Sequence, residues 1–336
     1  MHCCFSSVEI LFNDEVVSCM TNYAYTAEVC RLLGTTMDQR AQVWDELDGS
    51  WAPAAKVSNL DDATPLNKSR SKNLAGGWHY FGRLYSDVLM SARQLLPPGV
   101  SLGIRLRRAH DSFSLCSPTN DQDFRLQISE ASVYIRRIRI RSSLVPRALE
   151  SSQQHRCITF NRLECRLMGI SQDSRVFRWL DCLNNAPLPS RIYIGIVAQA
   201  SFDGSYQRLC TFFEPANLRS INFKLGGRDI LTEPIKLTYA LETDNTIKSA
   251  ESDGRLGYLS LLEVLNGVSD QTAPVRLSYT DYMKGRHLYA VELGKVGQKA
   301  DIKGALNLEL VFNEEMCPFD ACVMLFTERT EYAHFS

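Results

Sequence analysis

Three arginines set two residues apart, Arg137, Arg139 and Arg141, are the sharpest chemical signal in this chain of 336 residues. In an extended backbone alternate side chains share a face. The three guanidiniums would then line one side of a strand, with Ile138 and Ile140 on the other. Guanidinium forks onto phosphate and carboxylate oxygens, so the chemistry such a row supports is contact with nucleic acid or with an acidic protein face. A solvated outer face is the competing reading. Bond-making chemistry has less behind it. His110-Asp111 follows a strand pattern and resembles half of a catalytic pair, but no Ser or Cys stands with it, and a surface turn accounts for both residues. In "FDGSY" (202–206), a turn after a strand accounts for Asp203-Gly204. No nucleophile elbow, phosphate-binding glycine loop or HExxH occurs. The reading is therefore of no catalytic, cofactor-binding or metal residues and no enzyme.

The remaining metal-capable and stacking residues point the same way. Six histidines are scattered singly, and eleven cysteines form no CxxC pair and no zinc spacing. The cysteines read as reduced, mostly buried thiols, which favours an intracellular, reducing compartment. The four tryptophans do not interleave with basic residues as a single-strand binding platform requires. No apolar run reaches membrane-spanning length, and the first residues carry no secretory pattern.

The formal charge is −1, yet it is unevenly placed. Residues 82–147 hold 11 Lys/Arg against 5 Asp/Glu, and residues 229–336 hold 10 against 17. Opposite patches of this kind steer a surface onto an oppositely charged partner.

Strands dominate the elements that would position these groups. Val8, Ile10 and Phe12 alternate, "NDE" turns, and Val16-Val17 resumes, which predicts a hairpin. "YTAEVCRLLG" (25–34) predicts a short helix, 45–77 a long loop, and "DFRLQISEASVYIRRIRIR" (123–141) two strand segments with a bulge. Residues 142–158 read as a connector. "RIYIGIVAQ" (191–199) predicts a strand, "NLRSINFKLGGRDILTEPI" (217–235) a hairpin, "GYLSLLEVLNG" (257–267) a helix, and "ALNLELVFNE" and "FDACVMLFTER" two closing strands.

These elements repeat in order. "FSSVEILFNDEVV" matches "LRSINFKLGGRDI", setting Val8 on Ile221, Ile10 on Phe223 and Phe12 on Leu225. The two helices match, and "GRLYSDVL" matches "GRHLYAVEL". "SLGIRLRR" matches "ALNLELVF", setting Leu102, Ile104 and Leu106 on Leu306, Leu308 and Leu310. "ASVYIRR" matches "ACVMLFT". A period near 200 residues is domain-sized, so the expectation is two copies of one β-sandwich, a jelly roll being the plausible member of that class. Only the second copy has a strand, "RIYIGIVAQ", about twenty residues ahead of its hairpin. The first copy is therefore expected to lack its opening strand.

The blocks "GRLYSDVLMSARQLLPPGVSLGIRLRRAHDSFSL", "FRLQISEASVYIRRIRI", "RIYIGIVAQASFDGSYQ", "NLRSINFKLGGRDI", "YTDYMKGRHLYAVEL" and "GALNLELVFNE" are similar to those of the double jelly-roll major capsid proteins of Polinton/Maverick elements and adintoviruses. The similarity runs with gaps from Phe5 to Phe326. It implies two tandem jelly rolls, a pseudo-hexagonal homotrimer tiling an icosahedral shell, and location in the virion capsid. The partners it implies are further copies of the chain, a minor (penton) capsid protein and packaged DNA, with no membrane. The division expected is 1–150 first jelly roll, 151–188 connector and 189–336 second jelly roll. Family members carry an upstream strand-bearing segment that this sequence lacks, which implies N-terminal truncation. The rival class is a lectin-like ligand-binding sandwich, for which Trp44, Asp45, Glu46, Asp48 and Trp51 cluster in the long loop. A capsid-derived protein kept by a host for another role is a third reading.

Overall fold

The computed structural model describes residues 1–34, 77, 79–91, 96, 99–117, 123–135, 137, 157–239, 252–266, 277–293, 305–313 and 319–334. Strands dominate it, in three sheets. The first half contributes β1 (Phe5–Phe12), β2 (Glu15–Thr21) and β3 (Leu102–Arg108). The second half contributes β4 (Cys157–Ile170), β5 (Val176–Trp179), β6 (Arg191–Ala198), β7 (Leu218–Leu225), β8 (Arg228–Asp229), β9 (Ile235–Lys236), β10 (Leu288–Glu292), β11 (Leu306–Phe312) and β12 (Ala321–His334). The helices are α1 (Tyr23–Gly34), α2 (Asp87–Ser91), α3 (Asp111–Ser114), α4 (Gln199–Asp203), α5 (Arg255–Asn266) and α6 (Tyr279–Tyr282).

The second half is a jelly roll. One sheet runs β10-β6-β12-β4, the other β5-β11-β7-β8, with β9 also on β7. Counting β8 and β9 as one position, the eight strands in chain order fill the sheets as 1-8-3-6 and 2-7-4-5. That interleaving of two sheets defines the double Greek key. β7 and β11 alternate buried and part-buried residues along their length. Their inward side chains, Ile221, Phe223, Leu306, Leu308 and Leu310, share a core with Ile192, Ile194, Val323 and Leu325 of the facing sheet. β6 and residues 321–327 of β12 are buried on both faces, and α5 packs on the neighbouring β10 while Tyr25, Val29 and Leu32 of α1 join the same core. Gly195 of β6 is required by contact, since a Cβ there would lie 2.4 Å from the Phe213 ring.

The stretch expected as a connector, 151–188, instead carries β4 and β5, one strand of each sheet. Asn161, Arg162, Glu164 and Arg166 interrupt the apolar pattern of β4 and hide it. β12 lies antiparallel beside β4 and supplies the counter-charges: Arg329 reaches Glu164 at 3.2 Å, and Glu331 lies 2.8 Å from Arg162.

The first half holds one sheet among the described residues, in the order β2-β1-β3. It reproduces β8-β7-β11 with the register predicted by the repeat. Val8 faces Leu106, Ile10 faces Ile104 and Phe12 faces Leu102. Ile221 faces Leu310, Phe223 faces Leu308 and Leu225 faces Leu306. Even the irregularity recurs: the ladder skips Ser6 between Phe5 and Ser7, and skips Arg219 between Leu218 and Ser220. Both hairpins turn through left-handed backbone, at Asn13 (φ 48°) and Asp14 (φ 67°) in one and at Gly226 (φ 57°) and Gly227 (φ 83°) in the other. Paired positive φ values match the twist of the flanking strands.

A second facing sheet is not seen against β1 among the described residues. Its core, with Val8, Ile10, Phe12, Met20, Tyr85 and Val88, is closed by Ile158, Phe160 and Ala333. These come from the overhanging ends of β4 and β12, which are 14 residues each and pair along their whole length. Helix α1 bridges the two cores: Tyr23 and Ala27 face the first, and Tyr25, Val29 and Leu32 the second.

Candidate functional site

Two first-half blocks of the repeat differ in structure from their second-half matches. "GRLYSDVL" contains α2, whereas its match contains β10. Without a neighbouring strand the backbone satisfies itself: Met90 N–H donates to Ser86 O at 2.8 Å, and the Asp87 carboxylate accepts from Val88 N–H at 2.7 Å. Residues 123–135 carry no ladder either. They are tethered at their start, where Leu126 N–H donates to Asp111 at 3.2 Å and the Tyr206 hydroxyl donates to Phe124 O at 3.1 Å. Beyond that anchor Val133, Tyr134 and Ile135 are 59%, 81% and 59% exposed, with the Tyr134 ring against Phe81. Alternation survives in the sequence, but a strand needs at least one neighbouring strand to take its backbone donors and acceptors.

Arg137 follows this segment, exposed and outside any strand. Arg139 and Arg141, with Ile138 and Ile140, lie outside the described residues, as do Trp44, Asp45, Glu46, Asp48 and Trp51 of the long loop. Other basic residues of the first half are already engaged. Glu9 of β1 meets Arg105 at 2.6 Å and Arg107 at 3.5 Å across the ladder. Arg108 pairs with Asp111. In the acidic second half Glu309 meets Arg178 at 3.2 Å and Lys224 at 3.6 Å, and Glu328 meets Arg191 at 3.1 Å. Some of the charge in each half is thus paired locally.

His110 and Asp111 serve local structure. The His110 imidazole nitrogen accepts from Ser112 N–H at the start of α3 and lies 2.7 Å from the Ser112 hydroxyl. Asp111 turns away to Leu126 N–H and Arg108, so it does not orient the imidazole. That amide and the guanidinium beside it hold the Asp111 carboxyl below its usual range. In "FDGSY", Asp203 ends α4 and Gly204 leaves it at φ 98°. The expected turn is present, preceded by a helical turn.

Sequence reasoning missed the polar seam between the halves. Arg31 of α1 donates to Glu28 at 2.7 Å, with the Arg31 side chain 4% exposed. Burial pushes the Glu28 carboxyl up, but Arg31, through its charge and hydrogen bond, and Arg286 outweigh it and bring it below its usual range. Beneath β2, the Ser18 hydroxyl donates to Asp87 at 2.6 Å, and Arg162 of β4 lies 3.9 Å from the same carboxylate. Burial dominates here and raises the Asp87 carboxyl despite those donors. Only the pairing of β2 and α2 with the overhang of β4 brings these residues together, and no local spacing announces it.

Among the described residues no group of three or more His, Cys, Asp or Glu is placed to hold a metal ion. No described helix is long and apolar enough to cross a membrane. Of the ten described cysteines, Cys165, Cys182, Cys210 and Cys322 are buried, five are half-buried and Cys19 is exposed, so fewer are buried than expected.

No protein-family model matches the chain, and no curated protein matches it. Its fold is similar to that of three solved viral proteins, each at 9% sequence identity. The first is the major capsid protein P2 of bacteriophage PM2 (TM-score 0.32, covering 100% of this chain and 84% of that one). The second is the PBCV-1 virus capsid (TM-score 0.45, 98% and 80%). The third is the mavirus major capsid protein (TM-score 0.39, 99% and 76%).

Proposed function

We propose that this chain is a structural capsid subunit of a virus-like DNA element integrated in a host genome. It acts by tiling rather than by catalysis, three copies forming a pseudo-hexagonal unit of an icosahedral shell. The observation that carries this reading is the register match between β2-β1-β3 and β8-β7-β11, including the shared ladder irregularity. Two related jelly-roll units in one chain give a trimer six similar building blocks, which is what a hexagonal tile needs. Obligate contacts of that kind bury on the order of 2,000 Å² or more. The sequence blocks shared with Polinton/Maverick capsid proteins support the same assignment. In this reading Arg137, Arg139 and Arg141 contact an anion, either packaged DNA or an acidic subunit face.

Sedimentation of the full chain across a concentration series tests the proposal. A trimer that grows into larger assemblies is expected, and a monomer at every concentration overturns the shell reading. Replacing Arg137, Arg139 and Arg141 together by Gln separates the two anion partners. If DNA is the partner, trimers persist and the salt dependence of nonspecific DNA binding shallows, by roughly one unit of log–log slope per lost phosphate contact. If a subunit is the partner, assembly weakens instead. If neither changes, the row is a solvated face.

A further inference from the structure

We infer that Cys3 and Cys210 form a reversible disulfide that ties the first sheet to the jelly roll, with a low-molecular-weight disulfide such as oxidised glutathione as the oxidant. The Cys210 thiol donates to the Cys3 sulfur at 3.3 Å, across 207 residues of sequence. A disulfide needs sulfurs about 2.0 Å apart, so the bond requires an approach of little more than 1 Å. Both residues stand in turns outside the strands. Cys3 lies in the short turn His2–Cys4 ahead of β1, and Cys210 lies in a turn between α4 and β7. The shift is bounded on one side, because the Ser114 hydroxyl holds Cys3 O at 2.9 Å.

The environment assigns the roles. Cys3 is partly exposed, whereas Cys210 is 3% exposed. The hydrogen bond to Cys3 and burial both push the Cys210 thiol up, which makes it a poor first attacker. The Cys3 thiolate therefore attacks one sulfur of oxidised glutathione and expels one glutathione thiolate. The Cys210 thiolate then attacks the Cys3 sulfur of the mixed disulfide and expels the second. Two protein thiols lose two electrons in total, the glutathione disulfide gains them, and the two protons leave on the glutathione thiols. A third thiol, Cys116, lies nearby but is directed at Arg208 O, 3.9 Å away.

The bond would close a long loop, and cross-links of long loops restrict the unfolded chain most. The inference is independent of the shell reading, since it needs only the folded chain. The test is to purify the full chain under reducing conditions, expose it to excess oxidised glutathione, and map disulfides by mass spectrometry of unreduced digests. A Cys3–Cys210 linked peptide pair is expected, with a higher thermal midpoint that reductant reverses. Cys3→Ser and Cys210→Ser should each abolish the link and the shift, and Cys116→Ser should keep both. Should Cys210→Ser fail to fold, Cys3→Ser alone decides the matter, because that side chain is not in the core. A chain left fully reduced, a glutathione adduct on Cys3 that never resolves, or a link from Cys3 to Cys4 or Cys116 overturns the proposal.

Discussion

"ACVMLFT" and "ASVYIRR" are matching blocks of one repeat, and they meet opposite fates. The first opens β12, lies between β4 and β6, and is buried residue by residue from Ala321 to Phe326. The second leaves Val133, Tyr134 and Ile135 to solvent. Both carry β-compatible apolar residues at matched places, Val133 on Val323 and Ile135 on Leu325, yet only Val323 and Leu325 are buried. What differs is the presence of a ladder on each side. A strand in the middle of a sheet is stable because its neighbours take its backbone groups and its side-chain faces together. β10 and α2 differ in a weaker way: β10 is an edge strand with one ladder, to β6, and α2 pairs with no strand among the described residues.

This comparison is most directly broken at matched positions. Leu325 and Ile135 occupy the same place in the repeat. Leu325→Ala removes a fully buried side chain and should cost about 2–5 kcal/mol of unfolding free energy. Ile135→Ala should stay within about 0.5 kcal/mol. Urea midpoints of the two variants check this, and equal losses would mean that 123–135 is packed in solution. Next in size is Gly195→Val in β6. Its added atoms would enter the Phe213 ring, so overpacking of about 1–3 kcal/mol is expected, whereas Gly169→Val in β4, where nothing lies within 4 Å of a Cβ, should be near neutral. Thermal midpoints separate the two.

Acid sharpens the comparison between the cores. Burial lowers the His287 imidazole to about 4 in the jelly roll and His2 to about 3 beside the first sheet. Each ring is neutral when folded and binds a proton when unfolded, below an ordinary value near 6.5. The stability each contributes is complete above pH 6.5 and is lost as pH falls from 6.5 to about 4 for His287 and about 3 for His2. The limiting slope is about 1.4 kcal/mol per pH unit for each group. Unfolding free energy measured from pH 7 to 4 should fall accordingly, and His2→Gln should flatten the slope by up to one proton. Glu9→Gln should cost only about 0.5–1 kcal/mol, and less in high salt, because Arg105 and Arg107 are more than half exposed.

The repeat was legible because it rests on local signals. Alternation set the facing pairs Val8–Leu106 and Ile221–Leu310, and Asn13-Asp14 and Gly226-Gly227 marked the hairpins. The helices at 23–34 and 255–266 carried their own period. β4 was not legible. Its Arg162, Glu164 and Arg166 look like a solvated connector until Arg329 and Glu331, more than 160 residues later, lie against them. The segment 123–135 failed in the opposite sense: its own pattern is that of a strand, and the missing information is about neighbours. The seam of Glu28, Arg31, Arg286 and Asp87 depends on contacts between elements that no sequence window contains. Arg137, Arg139 and Arg141 were legible as a charge pattern, but the face they share rests on a strand that does not form at Arg137.

The closure of the first core by β12 sets a timetable for synthesis. β1 emerges from the ribosome early, but Ala333, which helps to cover it, is made more than 300 residues later. At about 5–20 residues per second, the apolar face of Val8, Ile10 and Phe12 waits on the order of 15–65 s for its cover. Tyr85, Val88, Ile158 and Phe160 arrive earlier, so the sheet is covered in stages and closed only when the end of β12 is made.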